Sequence, residues 1–289
     1  MYGVISPSDR LAVVPRLAGV HGVARVGYVN VDGVNRLATL EQKTPLRVLF
    51  PLPTAGDPPV AALVTTSGGL VGGDRLDVAV SVGENAALMA IGQAAEKVYR
   101  SLGNDCGVDI ALEVGAGGWL EWLPQETILF EGARLRRNTA LSVAGTGRAL
   151  AGEMLVFGRV ARGETMSYGL VRDAWTVRRD GRLVWADALH MDGEDIPYSL
   201  AAAAGFAGAR AYATAIYVGP DAAAQLDLAR DAAAIDGVRS GATLCGPVLV
   251  VRWLGADPGA VRRAFGDFWM RRRAAAGGLP PRLPRLWHV

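Results

Sequence analysis

The chain is poor in cysteine, since its 289 residues include only Cys106 and Cys245. Two isolated thiols exclude a disulfide scaffold and a cysteine-based zinc site, because both need several cysteines at short spacings. A chain with so few thiols is typical of a reducing compartment, and we expect a cytoplasmic protein.

Histidine is nearly as scarce. His21, His190 and His288 lie far apart and match none of the spacings found in zinc enzymes. The sequence also lacks the Gly-x-Ser-x-Gly motif that exposes a catalytic serine. The residues therefore form no recognisable catalytic constellation, and we expect a protein that is not an enzyme.

Long apolar runs and an excess of one charge are absent too. Residues 1–20 contain no continuous apolar core of a signal peptide, and no run is long enough to span a membrane. The 30 basic residues balance 28 acidic ones, so no concentrated basic surface indicates nucleic-acid binding. Neither a membrane nor a nucleic acid is an expected partner.

Glycine, in contrast, is abundant, and a glycine-rich stretch covers residues 66–77 (TSGGLVGGDRLD). A phosphate-binding loop would continue into a helix, whereas the residues after Asp74 and Arg75 alternate as in a strand. The pattern therefore predicts a tight turn between closely packed strands. That turn explains the glycines but not the charged residues Asp74, Arg75 and Asp77 beside them.

Apolar residues recur at every second position between residues 45 and 185, which is the period of β-strands. Residues 76–82 and 108–114 alternate in this way, and residues 176–185 read as a hairpin with Asp180-Gly181 as a type I′ turn. Turn residues recur at short intervals without a repeat of fixed length. We predict a mainly β fold, a stacked β-helix-like or sandwich architecture, that forms a single domain over residues 1–289.

Two helices are predicted in the C-terminal third of the chain. Residues 221–235 are rich in alanine. Residues 257–276 begin with the N-cap Asp257 and Pro258 and carry three arginines, residues 271–273, in the last turns. One apolar face of this helix is formed by Val261, Phe265, Phe268 and Trp269.

Carboxylates are the best-placed chemical groups. Asp74 and Asp77 follow the glycine-rich stretch, and Glu121, Glu126 and Glu131 lie among aromatic and aliphatic residues. Alternation with Leu120 and Trp122 predicts that Glu121 faces water. Glu126 and Glu131 could be either solvent-facing or partly desolvated with a raised pKa. For Asp74, capping the turn or pairing with Arg75 is an alternative to a role in metal binding.

Several motifs, in matching order from Pro45 onward, resemble the urease accessory protein UreD family, called UreH in some systems. They are residues 68–76 (GGLVGGDRL), 98–101 (VYRS), 120–128 (LEWLPQETI), 130–133 (FEGA), 158–164 (GRVARGE), 177–183 (VRRDGRL), 249–255 (LVVRWLG) and 284–287 (PRLW). Several motifs in register are far more specific than a single glycine-rich loop.

The resemblance implies a β-helix-like stack whose C-terminal helix contacts the partner UreF. It implies a chaperone, in a 2:2 assembly with UreF, that works with the GTPase UreG through UreF to deliver nickel to apo-urease. No tightly bound cofactor is expected, only transient Ni²⁺ on a weak path at Asp74, Asp77, Glu126 and Glu131. Oxygen ligands suit such a path because they hold nickel less tightly than imidazole or thiolate.

The residues expected to bind the partner lie on the last predicted helix and in the tail after it. We expect this surface to be exposed and the free protein to be poorly soluble for that reason. Packing of the same residues on the β body is the alternative. The residues are Phe265, Phe268, Trp269, Arg272, Leu286 and Trp287.

Two other functions stay open at this point. Glu126 and Glu131 could serve as the paired carboxylates of a carbohydrate-active β-helix enzyme. The chain could also be a structural β module without chemistry of its own.

Overall fold

Seven strands form the first sheet of the structure, a computed structural model that describes residues 19–288. The expectation about a signal peptide therefore falls almost entirely outside the described residues. Strands are numbered in chain order. In spatial order the first sheet contains β14 (Arg182–Asp192), β13 (Leu170–Arg179), β11 (Arg134–Val143), β8 (Cys106–Val114), β5 (Arg75–Val82), β1 (His21–Val31) and β2 (Val34–Lys43).

The other ten strands of the described chain form the second sheet. Two short strands, β10 and β7, branch from β12. The strands are β16 (Arg239–Cys245), β17 (Val248–Gly255), β15 (Ala211–Val218), β12 (Arg148–Phe157), β9 (Trp119–Leu123), β6 (Ala87–Gly92), β4 (Val60–Thr65), β3 (Leu46–Leu49), β10 (Thr127–Leu129) and β7 (Glu96–Val98).

Successive strands of the central part alternate between the two sheets. β5, β8, β11 and β13 lie parallel in the first sheet, and β4, β6, β9 and β12 lie parallel in the second. The chain thus winds in stacked coils, which confirms the predicted mainly β, stacked architecture. The apolar positions of β5 predicted from alternation are buried between the sheets, as the inward face of a strand requires.

The two sheets differ in how they are covered. The first sheet buries one face only, so β11 alternates strictly between buried and exposed residues. The second sheet buries both faces, and β12 is buried along nearly its whole length. Helices α2 (Leu226–Ala233) and α3 (Pro258–Gly277) provide the second cover.

Helix α3 confirms the prediction for residues 257–276. Asp257 is its N-cap and accepts a hydrogen bond from the Gly259 N–H at 2.9 Å, and Gly278 ends it in the left-handed conformation. Of the three arginines in its last turns, only Arg271 faces solvent. Arg272 and Arg273 are fully buried and reach partners on other elements, because helix α3 lies against the second sheet.

The other helices differ from the sequence prediction. The first part of residues 221–235 is a short 3₁₀ turn at Ala223–Gln225, and the α-helix occupies only Leu226–Ala233. A third helix, α1 (Asp195–Ala201), was not predicted. It is short, contains Pro197 and has no side-chain cap, so it lacks the usual sequence signals of a helix.

Strand β2 forms one edge of the first sheet and is exposed on both faces apart from Asn35. Its register with β1 sets Leu40 opposite Val26 and Leu37 opposite Tyr28. Leu37 and Leu40 therefore point toward the space between the sheets, yet each is 43% exposed because the sandwich is open along this edge.

No helix among the described residues is long and apolar enough to cross a membrane.

Candidate functional site

The glycine-rich stretch forms a turn that packs tightly against its neighbours. A Cβ atom on Gly69, at a φ of 144°, would come within 2.5 Å of the Tyr99 ring. Asp74 is buried, and its carboxylate accepts hydrogen bonds from the N–H groups of Val71 and Val20, both at 2.9 Å. Asp74 therefore caps this turn, which is the alternative that the sequence left open, and it offers little surface to an ion.

Asp77 lies on the outer, solvent-facing side of the first sheet. It hydrogen-bonds with His21 Nε2 at 2.6 Å and Arg75 Nε at 3.0 Å. Partial burial alone would raise the pKa of Asp77, but the bonds from His21 and Arg75 lower it. Asp77 is thus part of a surface ion-pair network, on the opposite side of the first sheet from the space between the sheets.

The prediction that Glu121 faces water is wrong. Alternation along β9 was read correctly, but the face that carries Glu121 lies under α3, and the residue is fully buried. Its carboxylate accepts hydrogen bonds from Trp269 Nε1 at 2.8 Å, Trp119 Nε1 at 3.2 Å and the Arg273 guanidinium at 3.0 Å. The same guanidinium binds Asp57 at 2.8 Å, so the network fastens α3 to the second sheet.

An interior cavity of about 210 Å³ lies between the two sheets and opens to solvent beside the exposed residues Gln93, Ala94 and Lys97. Aliphatic side chains from both sheets and Trp122 form most of its wall, and a small number of polar groups interrupt them. The polar groups are Thr65, Gln93, Glu96, Lys97, Gln125, Thr127, Arg137 and Glu153. Gly68 and Gly69 of the glycine-rich turn lie at its border.

A buried acid–arginine cluster forms one side of this cavity, and sequence reasoning missed it. Arg137 Nε donates to Asp173 at 2.8 Å, and Arg137 Nη2 lies 2.8 Å from Glu153. Trp175 Nε1 donates to Glu153 at 2.5 Å, and Arg137 Nη1 donates to Thr127 at 3.1 Å. All three charged residues are nearly inaccessible to solvent.

Burial raises the pKa of Glu153 well above its ordinary value, and this outweighs the opposing effect of Arg137. A hydrogen bond with Asp173 adds to the increase, because it is made by the protonated acid. Glu153 therefore keeps a proton more readily than an exposed glutamate does, and Arg137 lies between it and Asp173.

Glu96 is the second carboxyl group of the cavity. Its carboxylate accepts hydrogen bonds from the Thr65 hydroxyl at 2.5 Å and from the Lys97 N–H at 3.2 Å. Burial raises the pKa of Glu96 more than these bonds lower it. Glu96 was not singled out in the sequence, since it lies in a short strand without a motif.

A cleft of about 490 Å³ lies beside α3 and the segment that follows it. Glu126 is half-buried in this cleft and forms an ion pair with Arg262 of α3. Ala94, Ala95 and Gln125 line both the cleft and the interior cavity, so the two spaces share a wall. This places Glu126 at the outer side of that wall and Glu96 at the inner side.

Glu131 lies elsewhere. It accepts a hydrogen bond from the Ser167 N–H at 2.7 Å and a second from the Ser167 hydroxyl. Glu126 and Glu131 thus have separate partners, Arg262 and Ser167, and each is already engaged. Nothing in this arrangement resembles two carboxyl groups poised across one glycosidic bond.

The four carboxylates predicted for a nickel path do not come together. Within residues 19–288, no three histidine, cysteine, aspartate or glutamate residues form a group that could hold a metal ion. Glu126, Glu96 and Glu153 instead occur singly along the cleft and the cavity. Isolated oxygen ligands bind a divalent cation weakly, and weak binding suits the release of a cation better than its retention.

The expectation of an exposed aromatic surface on α3 is wrong. Phe265, Phe268, Trp269 and Arg272 are almost fully buried, and Trp287 is 6% exposed. They pack on the second sheet, where Phe265 and Phe268 meet the Trp253 ring edge to face. Leu286 is half-buried. The solvent-facing residues of α3 are Arg263, Asp267, Arg271 and Ala275.

Comparison with known proteins identifies the class to which this stack and its helical cover belong. A family model described as "UreD urease accessory protein" matches residues 20–288. The chain therefore belongs to the UreD urease accessory protein family.

Named relatives agree. The urease accessory protein UreD of Magnetococcus marinus is 46% identical over 276 residues, which cover 94% of this chain and 95% of that protein. UreD of a Methylobacterium species is 41% identical, with 89% and 90% covered, and UreD of Rhodopseudomonas palustris is 41% identical, with 92% of each chain covered.

Proposed function

We propose that this protein acts in urease maturation as a scaffold through which nickel passes from a UreF–UreG complex to apo-urease. Its role is that of a chaperone without catalysis, in a 2:2 assembly with UreF. Nickel is the cargo of this process, and no resident cofactor takes part.

One observation carries the proposal: the cleft beside α3 and the interior cavity share a wall, with carboxyl groups on both sides of it. Glu126 offers oxygen ligands at the surface, and Glu96 offers them inside. Between them the wall is mostly aliphatic, so an ion would find few ligands at any one point. Weak, separated ligands favour release, which a transfer protein needs.

Glu96 replaces Asp74 and Asp77 in this proposal. Asp74 is occupied as a turn cap, and Asp77 lies on the outer side of the first sheet. Glu126, which was predicted from the sequence, remains part of the proposed nickel path. Calorimetry with Ni²⁺ should show binding in the range of about micromolar or weaker, because no tight ligand set is assembled. A nanomolar site in the isolated protein would contradict this proposal.

The test is urease activation in cells that depend on this protein. Deleting its gene should leave urease inactive and nickel-poor, and nickel-loaded urease in the deletion strain would exclude a role in maturation. Among point variants, Glu96→Gln combined with Glu126→Gln should lower the nickel content of urease several-fold while the protein still binds UreF. Glu113→Gln, on the exposed side of the first sheet, is the matched control and should have no effect.

UreF docking is proposed for the solvent-facing side of α3, around Arg263, Asp267 and Arg271. Truncation after Gly255 cannot test it, because α3 forms part of the core of the second sheet. Charge reversal at these three positions should abolish UreF capture in a pull-down without lowering the thermal stability. Reversal of Arg136 and Arg178 on the first sheet is the control. Unchanged capture by the α3 variant would place the interface elsewhere.

A further inference from the structure

The interior cavity has a wall suited to hydrocarbon and an entrance from solvent. Leucine, valine and isoleucine side chains from both sheets form most of the wall, together with the Trp122 ring. The entrance lies beside the exposed residues Gln93 and Ala94. An apolar cavity of about 150 Å³ can bind benzene. A volume of about 210 Å³ can therefore hold a compact apolar group of similar or slightly larger size.

The charged groups in and around this cavity are not balanced. Glu96 and Glu153 line it, and so does one buried base, Arg137. Arg137 Nε donates to a third acid, Asp173, at 2.8 Å, and Arg137 Nη2 lies 2.8 Å from Glu153. Burial raises the pKa of Glu153 even though Arg137 is beside it. One guanidinium is thus shared by two acids and does not fully compensate both.

Glu96 is the third acid, and it has no basic partner bonded to it in the described part of the chain. Both of its hydrogen bonds come from neutral donors, the Thr65 hydroxyl at 2.5 Å and the Lys97 N–H at 3.2 Å. The exposed Lys97 ammonium acts on it only through space. Thr127, opposite Glu96 in the register of β7 and β10, accepts a hydrogen bond from Arg137 Nη1 at 3.1 Å. The two bonds to Glu96 reach different oxygens, so each oxygen can accept one more donor.

We propose that the cavity binds a monovalent organic ammonium ion, whose compact apolar body packs against the aliphatic wall and whose cationic group donates to Glu96. A hydrogen bond between two charged groups is about twice as strong as one between neutral groups. The ammonium ion also supplies positive charge that the residues of the cavity lack. A neutral molecule of the same size would bind through its apolar body alone, and an anion would be repelled by the acids.

This ligand goes beyond the proposed function and does not rest on it. Nickel passage needs weak ligands that release an ion, whereas the aliphatic wall retains a hydrocarbon group. Because both cations would meet Glu96, the organic ion would exclude nickel from this point of the cavity while it is bound. Binding of the organic ion can be measured without nickel or urease, so failure of either proposal leaves the other standing.

Isothermal titration calorimetry of the full-length protein with three molecules that share one tail tests the proposal. The molecules are hexylammonium, hexanol and hexanoate, which carry a positive, a neutral and a negative head group at about pH 7. Hexylammonium should bind at least about tenfold more tightly than hexanol. Hexanoate should bind no more tightly than hexanol. This comparison uses the natural protein, so it does not depend on whether a cavity variant folds.

Glu96→Gln should reduce the preference for hexylammonium over hexanol to less than about threefold, because the charge-assisted hydrogen bond is lost. Its affinity for hexanol should stay unchanged, which also shows that the cavity is intact. Glu126→Gln is the matched control, since it makes the same substitution on the outer side of the wall that the cleft and the cavity share. This variant should keep the full preference.

Equal affinities of hexylammonium and hexanol for the natural protein would overturn the proposal, as would the absence of binding by both. A preference that survives Glu96→Gln would also overturn it. Loss of the preference in Glu126→Gln would do the same and place the cation in the cleft beside α3.

Discussion

Glu121 and Glu153 are both buried acids, but their charged and hydrogen-bonding neighbours differ. Glu121 meets a guanidinium and two indole N–H groups, so its negative charge is compensated on every side. Glu153 has Arg137 near it, but that guanidinium is shared with Asp173, and burial raises the pKa of Glu153. Glu121 fastens a helix, whereas Glu153 is a cavity-wall acid with a raised pKa.

Glu121→Ala should lower the free energy of unfolding by about 3–5 kcal/mol, because it leaves the buried Arg273 with Asp57 as its remaining acid partner. Urea unfolding followed by circular dichroism measures the change. Glu113→Ala removes an exposed glutamate from β8 and should change the stability by less than about 0.5 kcal/mol. Equal losses in both variants would show that the Glu121 network adds nothing.

Glu153→Gln tests the neutral state of that acid. The folded protein keeps a proton on Glu153 that the unfolded chain releases above its ordinary pKa of 4.5. This carboxyl group therefore makes folding less favourable as the pH rises above 4.5, up to its raised pKa. A glutamine keeps the neutral form and can donate to Asp173 in the same way.

The stability of Glu153→Gln relative to the natural protein should thus increase as the pH rises above 4.5 toward the raised pKa of Glu153. Urea unfolding at several pH values measures this difference. A difference that stays constant across the range would mean that Glu153 is ionised in the folded protein.

The sequence could suggest that carboxylates matter but not which ones. Period-two alternation placed Glu121 on the correct face of β9, yet it could not show that α3 covers that face. The compensating Arg273 lies 152 residues further along the chain. Glu96 and Glu153 carry no local motif, and only the stacking of the coils brings them to one cavity.

Among the secondary structure elements, those with strong local signals were predicted well. The Asp180-Gly181 turn has positive φ at both residues, 50° and 77°, as a type I′ turn requires. Helix α3 was predicted to within one residue at each end because it has a side-chain N-cap, a proline and a terminal glycine. Helix α1 was missed because its seven residues have no such signals, and contacts with β14 support it instead.

Packing between α3 and the second sheet depends on a glycine in β12. A Cβ atom on Gly152 would come within 2.7 Å of the Phe265 ring and 2.8 Å of the Thr214 carbonyl oxygen. Gly152→Ala should therefore cost about 1–3 kcal/mol through overpacking, measured as a lower free energy of unfolding.

Gly241 in β16 is the matched control for this substitution. It is also a strand glycine, but a Cβ atom there would meet no atom within 4 Å. Gly241→Ala should be neutral or slightly stabilising, since alanine restricts the unfolded chain more than glycine does. A Gly152→Ala variant as stable as Gly241→Ala would mean that α3 can shift outward without loss.

Across the whole molecule, the two sheets of the stack have different roles. The second sheet carries α3, the segment that follows it and the cleft, whereas the first sheet closes the cavity and presents a polar outer face. One layer of β-structure therefore separates α3 from the interior cavity, which is the short distance that the proposed passage requires.

The open edge at β2 has a consequence for how the free protein behaves at high concentration. An edge strand offers unpaired backbone N–H and C=O groups to a second copy of the protein, and its inward-pointing leucines offer an apolar surface that the second copy can bury. Poor solubility is thus expected from Leu37 and Leu40 on β2, rather than from the aromatic residues of α3.

Leu40→Lys places an inward-pointing charge on the edge strand, a device by which natural sheets avoid pairing with other chains. Aggregation, detected by light scattering, should then begin at a higher protein concentration. Leu183→Lys, at another exposed leucine, controls for the added charge alone. Identical onset in both variants would show that the β2 edge is not where copies meet. The backbone pairing that adds each coil to the sheet can also join the sheets of two molecules, and β2 is the edge at which such pairing must be prevented.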